Sequence, residues 1–113
     1  MISEKAETKI TEAVNTECNY CLNKHGKFHN HHEAWAVLRE EVQEVIECFA
    51  PFDRVTDSQM DLLWDGIRHE ELDEAEERIG KINDIALELV KEGIQVLAMC
   101  KKWMMLIETE RKA

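Results

Sequence analysis

The 113-residue chain is poor in residues that interrupt helices, with one proline and four glycines. It also lacks alternating apolar and polar runs, which excludes a half-buried sheet. With abundant Glu, Lys, Leu, Ile and Ala, these absences imply an all-α chain. No apolar stretch reaches the length of a membrane span, and no signal-peptide pattern opens the sequence. Basic residues are in deficit, 14 Lys and Arg against 24 Asp and Glu, for a net charge of −10. Such a chain repels a nucleic-acid backbone, so duplex binding is not expected. It can still accept a polyphosphate if metal ions bridge the like charges. Four cysteines without secretory context suggest reduced thiols and a cytoplasmic protein.

What is present centres on residues 31–50. Ala34, Val37, Leu38, Val42, Val45, Ile46 and Phe49 recur at the three-and-four spacing of an amphipathic helix. At about 100° per residue these positions form one arc. Glu40 and Glu47 fall outside it. Glu41 projects near its middle, between Leu38 and Val45, and Glu44 lies at its edge beside Val37. A carboxylate aimed into a core must pair, bind a cation or stay protonated. Two carboxylates at i and i+3 can share one divalent ion.

The remaining elements predict a single domain, residues 1–113, folded as a four- to five-helix bundle. Ser3 opens a helix over 3–24 whose stripe is Ala6, Ile10, Ala13, Val14, Cys18, Cys21 and Leu22, ending at His25-Gly26. Asn30 caps the central helix, and Pro51 ends it. Thr56-Asp57-Ser58-Gln59 has the pattern of a capping box opening a third helix over Met60, Leu63, Trp64 and Ile67. A charged stretch from His69 to Arg78 leads into a long last helix, with Gly80 as a kink. Its stripe takes in Ile82, Ile85, Ala86, Leu89, Val90, Val96, Leu97, Cys100, Trp103 and Met104, and the tail from Glu108 frays.

On that last helix Glu92 projects at the margin of the apolar arc, with Glu88 one turn before it and Gln95 three residues after it. Antiparallel packing against the central helix lets Glu92 face Glu41 and Glu44, the way bundles build carboxylate metal sites. All-oxygen ligation favours Mg²⁺, with Mn²⁺ also accommodated. The plainer reading makes Glu88 and Glu92 a solvated flank paired with Lys91, Lys101 or Lys102, and Glu41 a salt-bridge partner.

Glu40-Glu41-Val42-Gln43-Glu44 matches the EExxE signature of the MazG-like all-α nucleoside triphosphate pyrophosphohydrolases, and the chain resembles that family over roughly residues 20–107. His32-Glu33-Ala34-Trp35-Ala36-Val37-Leu38 and Glu92-Gly93-Ile94-Gln95-Val96-Leu97-Ala98-Met99 extend the resemblance. It implies a Mg²⁺-dependent hydrolase that splits a nucleoside triphosphate into monophosphate and pyrophosphate. It implies Glu41, Glu44 and Glu92 as metal ligands, Glu40 as a supporting acid, and Glu40, Glu41 and Glu44 as the catalytic group. The family's ExxD motif reads ExxQ here, so Gln95 takes the fourth metal position, and the two motifs stand further apart than usual.

Phosphate oxygens want cationic partners, for which Lys91, Lys101 and Lys102 are the nearest on the last helix. Trp35, Phe28 and Trp64 are candidates for a base pocket, and His32 for a substrate contact. Two other readings stand beside the hydrolase. Cys18-Asn19-Tyr20-Cys21 with His25, His29, His31 and His32 has the pattern of a zinc site. A bundle that lost ExxD can instead bind a nucleotide or a partner without turnover. The three tryptophans and five methionines further suggest an apolar surface covered in a homodimer or homotetramer.

Overall fold

The computed structural model describes residues 1–113 as three helices without strands, α1 (Glu4–His25), α2 (His31–Arg68) and α3 (Leu72–Lys112). The ends follow local chemistry. Ser3 caps α1, its hydroxyl accepting from the amide of Ala6 at 3.1 Å. Gly26 closes that helix at φ +75° and donates its amide to the Leu22 carbonyl at 2.8 Å, a backbone conformation only glycine takes freely. Asn30 opens α2, its side-chain oxygen accepting from Glu33 N at 2.8 Å.

The expected count of four to five helices is corrected to three. Pro51 lies inside α2 rather than at an end, and Thr56 to Gln59 are interior to the same helix. The reason is visible in the phase. Phe49, Phe52, Thr56, Met60, Leu63 and Ile67 keep a three-or-four spacing across the proline, so one continuous helix serves both sides. The capping signal is overridden, and the Thr56 hydroxyl is left buried without a hydrogen-bond partner. Gly80 likewise sits within the unbroken run of α3, and that helix continues to Lys112 instead of fraying from Glu108.

The chain divides into two compact units, one of residues 1–43 and 92–113, the other of residues 44–91. The first holds the core. Cys18, Phe28, Ala34, Ala98 and Met99 are buried together, with Val14, Leu22, Val37, Leu38, Trp103 and Leu106 against them. Ala34 and Ala98, fully buried, let backbones approach where larger side chains would hold them apart. The core face of α3 is displaced from the expected stripe: Leu97 and Met104 are exposed, while Ala98, Met99 and Lys102 are buried.

The second unit is a helical hairpin turning through residues 69–71. Glu71 N donates to Gly66 O at 2.9 Å, and Glu70 adopts φ +57°. Gly66 and Ala75 are its buried residues, and a Cβ added at Gly66 would meet Ala75 N at 3.5 Å. Arg78 braces the hairpin by binding Glu74 at 2.6 Å and Gln59 at 3.4 Å. Ile46, Phe49, Met60, Trp64, Ile67 and Ile79 all remain more than half exposed. No helix is long and apolar enough to cross a membrane.

Candidate functional site

The helical phase that aims Glu41 inward on the sequence does so in the structure, where it is half-buried while Glu40 and Glu44 are exposed. Glu41 and Glu92 bring carboxylate oxygens within 4.8 Å of each other in the first unit. Glu44 follows one turn further along α2 and is exposed. Glu40, next to Glu41 but about 100° around the helix, stands outside this group. Gln95 lies against both inner acids. With its amide nitrogen turned toward them it donates to Glu41 Oε2 at 2.9 Å and to Glu92 Oε2 at 3.3 Å. In that orientation the Gln95 amide bridges the two carboxylates, easing their repulsion, and directs its oxygen away from them.

Beside this group a cavity of about 420 Å³ opens in the first unit, lined by all three helices and the α1–α2 connector. From α1 come Glu17 and Cys21, from the connector Phe28, from α2 Glu33 and Glu41, and from α3 Gln95 and Lys102. Cys21 Sγ lies 3.7 Å from Glu17 Oε1, and burial, followed by the Glu17 charge, pushes its thiol above the usual 9.0. Glu33 accepts from the His29 ring at 3.0 Å and from its amide at 3.4 Å. The ring hydrogen bond is the main cause holding the Glu33 carboxyl below its ordinary 4.5.

The predicted substrate contacts disperse. Trp35 and His32 share a shallower pocket of about 290 Å³ with His31 and Trp103. There Trp103 Nε1 donates to His31 Nδ1 at 2.9 Å, and the indole is donor only, so the ring proton sits on Nε2 and faces Glu110 Oε2 at 2.6 Å. Lys91 is exposed and pairs with Glu88 at 3.1 Å, in the second unit. Lys101 hydrogen-bonds Asn15. Neither lines the cavity. Trp64 is exposed in the second unit, whereas Phe28 is buried at the cavity wall.

Lys102, expected as one of three phosphate-facing cations on the last helix, is the one the fold buries. It is only 6% exposed, and its ammonium lies 4.1 Å from the centre of the Phe28 ring. The signal was the three-and-four spacing Gln95, Ala98, Met99, Lys102, hidden because lysine is ordinarily assigned to solvent.

The thiols and histidines of the zinc reading do not converge. Cys18 is 1% exposed in the core, and all four cysteines are free. His29 and His31 are engaged instead with Glu33 and with Trp103 and Glu110. Compared with family models, curated proteins and solved structures, the chain matches none.

Proposed function

We propose that this chain is a Mg²⁺-dependent nucleoside triphosphate pyrophosphohydrolase, releasing monophosphate and pyrophosphate. The observation that supports it is the convergence of Glu41 and Glu92 within 4.8 Å at the edge of a cavity, with Glu44 on the next turn. The donor set fits a hard divalent cation, because its oxygens are carboxylate oxygens and like charges this close repel unless a cation intervenes. Mn²⁺ satisfies the same set. A bound divalent ion supplies neutralisation of phosphate charge at the reacting phosphorus.

The protein's own part is positional. Glu41, half-buried and hydrogen-bonded by Gln95, is fixed in direction and serves as the acceptor for the proton of the attacking water. Glu92 adds its carboxylate oxygens to the donor set. Glu40, exposed one position before, adds negative potential without touching the group.

Gln95 favours a second reading, in which the same cavity binds nucleotide without turnover, since an amide replaces a charged ligand. A panel of ribo- and deoxyribonucleoside triphosphates with Mg²⁺, scored for pyrophosphate release, separates the two. Release from any member supports the hydrolase, while binding without release supports the second reading. The assembly belongs to the same proposal. A second copy would cover the apolar side chains that the second unit exposes, giving a homodimer or homotetramer. Light scattering coupled to size exclusion tests it, and a monomer of 13.2 kDa would refute it.

A further inference from the structure

A lysine side chain withdrawn from water needs a partner for its ammonium. Lys102 is more than nine-tenths buried, yet it makes neither a hydrogen bond nor an ion pair, and its contact is the face of Phe28. The carboxylates around the same cavity are already engaged. Glu33 takes two hydrogen bonds from His29, Glu17 takes the Cys21 thiol, and Glu41 takes the Gln95 amide. The Lys102 charge acts on Glu33 and Cys21 only through space, a lesser influence beside the His29 hydrogen bond that lowers the Glu33 pKa and the burial that raises that of Cys21. So the cavity presents one buried cation whose three N–H donors lack a protein acceptor.

We propose that Lys102 is the anion-binding residue of this cavity and receives a phosphoryl oxyanion of the ligand. Phe28 holds the ammonium from one side through cation–π attraction, which orients it without consuming its donors. Phosphoryl oxygen is the matching chemistry because it supplies several acceptors and a negative charge at one point. Gln95, Met99 and Lys102 follow one another at four and three residues on α3 and all line the cavity. An anion seated on Lys102 therefore lies in the same space that Glu41 and Gln95 border. This goes beyond the hydrolase reading, because such an anion is held whether or not any bond is broken.

The test uses inorganic pyrophosphate as probe, titrated calorimetrically into the full chain with and without Mg²⁺. Lys102→Met keeps an unbranched apolar stem against Phe28 and removes the charge. The expected result is at least ten-fold weaker pyrophosphate binding in Lys102→Met under both conditions. Lys102→Arg should retain binding within a few-fold, and Lys9→Met, an equal loss of charge at an exposed pair with Glu12, should leave it unchanged. Circular dichroism checks that each variant is folded. If Lys102→Met does not fold, the Lys102→Gln variant takes its place with the same expectation. Pyrophosphate binding that is absent from the parent, or equal in parent and charge-removed variant, overturns the proposal. Failure of the hydrolase reading looks different, with no triphosphate hydrolysed while pyrophosphate still binds through Lys102.

Discussion

Gln95 and Glu41 meet through an amide-to-carboxylate hydrogen bond of 2.9 Å, and the same amide reaches Glu92 at 3.3 Å. Two carboxylates facing each other in a half-buried site repel, and a neutral donor between them relieves that repulsion without adding charge. A side chain that resembles a departure from a metal-binding signature thus has its own structural role. It stabilises the acidic pair in the absence of a cation, and its terminal amide can turn to present oxygen when one arrives.

Gln95→Glu tests this role directly. The substitution keeps the side-chain length, removes two donors and adds a third negative charge near Glu41 and Glu92. Charges about 4 Å apart near a protein surface attract by on the order of 4 kcal/mol. Repulsion among the carboxylates opposes the gain, so Mg²⁺ binding should strengthen by only about 1 to 2 kcal/mol. The metal-free protein should unfold at lower temperature, because the new carboxylate has no partner until the cation binds. Thermal unfolding followed across a Mg²⁺ titration reads both effects. Unchanged metal affinity would show that Gln95 serves the acids alone.

Glu41→Gln probes the other end of the same bond. If Glu41 holds the cation and accepts the water's proton, the variant should lose Mg²⁺-dependent hydrolysis by a factor of about 10² or more. Its metal-free form should be as stable as the parent or more stable, since one of the repelling charges is gone. Pyrophosphate release and thermal unfolding, measured on the same preparation, check the two halves. Hydrolysis at the parental rate removes Glu41 from the mechanism.

Cys18 and Cys21 give a test in which burial rather than metal binding sets the outcome. Cys18 is 1% exposed, so Cys18→Ala should cost roughly 1 to 3 kcal/mol through lost packing. Cys21, whose thiol burial raises above 9.0, is more protonated in the folded chain than in the unfolded one. Its contribution to stability is present below the unfolded pKa and is lost as pH rises through the folded value. At pH 8 iodoacetamide should modify Cys21 more slowly than a free peptide thiol, and the rate should climb as pH passes 9. Mass spectrometry of labelled peptides reads the rate. Stoichiometric zinc in the purified protein would contradict the packing account.

The sequence carried the ends of α1 and the start of α2 because those depend on adjacent residues, Ser3, Gly26 and Asn30, whose side-chain or backbone chemistry acts locally. It carried the inward aim of Glu41 because helical phase is arithmetic. The α2–α3 hairpin was less legible. Pro51 and the Thr56 capping pattern are strong local signals, and both yield to an apolar stripe that continues on either side of them. Lys102 was obscured for a related reason. Residue type pointed it to solvent, while its position three residues after Met99 placed it in the core face, and only packing decides between the two. Sequence spacing set Glu92 near Glu41, but the bond linking them through Gln95 needed the α2 and α3 backbones in place.

Pro51→Ala examines the strongest of those overridden signals. Pro51 is exposed within α2, so its ring contributes little packing while its lost N–H leaves the carbonyl four residues earlier without its helical donor. Proline in a helix interior is less favourable than alanine by about 3 kcal/mol. Alanine also loosens the unfolded chain, since it lacks proline's fixed φ, and that offsets roughly 0.4 to 1 kcal/mol of the gain. The net expectation is a stabilisation of about 2 kcal/mol by this difference. Denaturant unfolding should show a higher midpoint with an unchanged slope, because the surface exposed on unfolding is nearly the same. Amide hydrogen exchange should slow across the turn around residue 51, where the helical ladder is restored. A destabilised variant would mean that the proline-specific geometry is required by the hairpin and not merely tolerated by it.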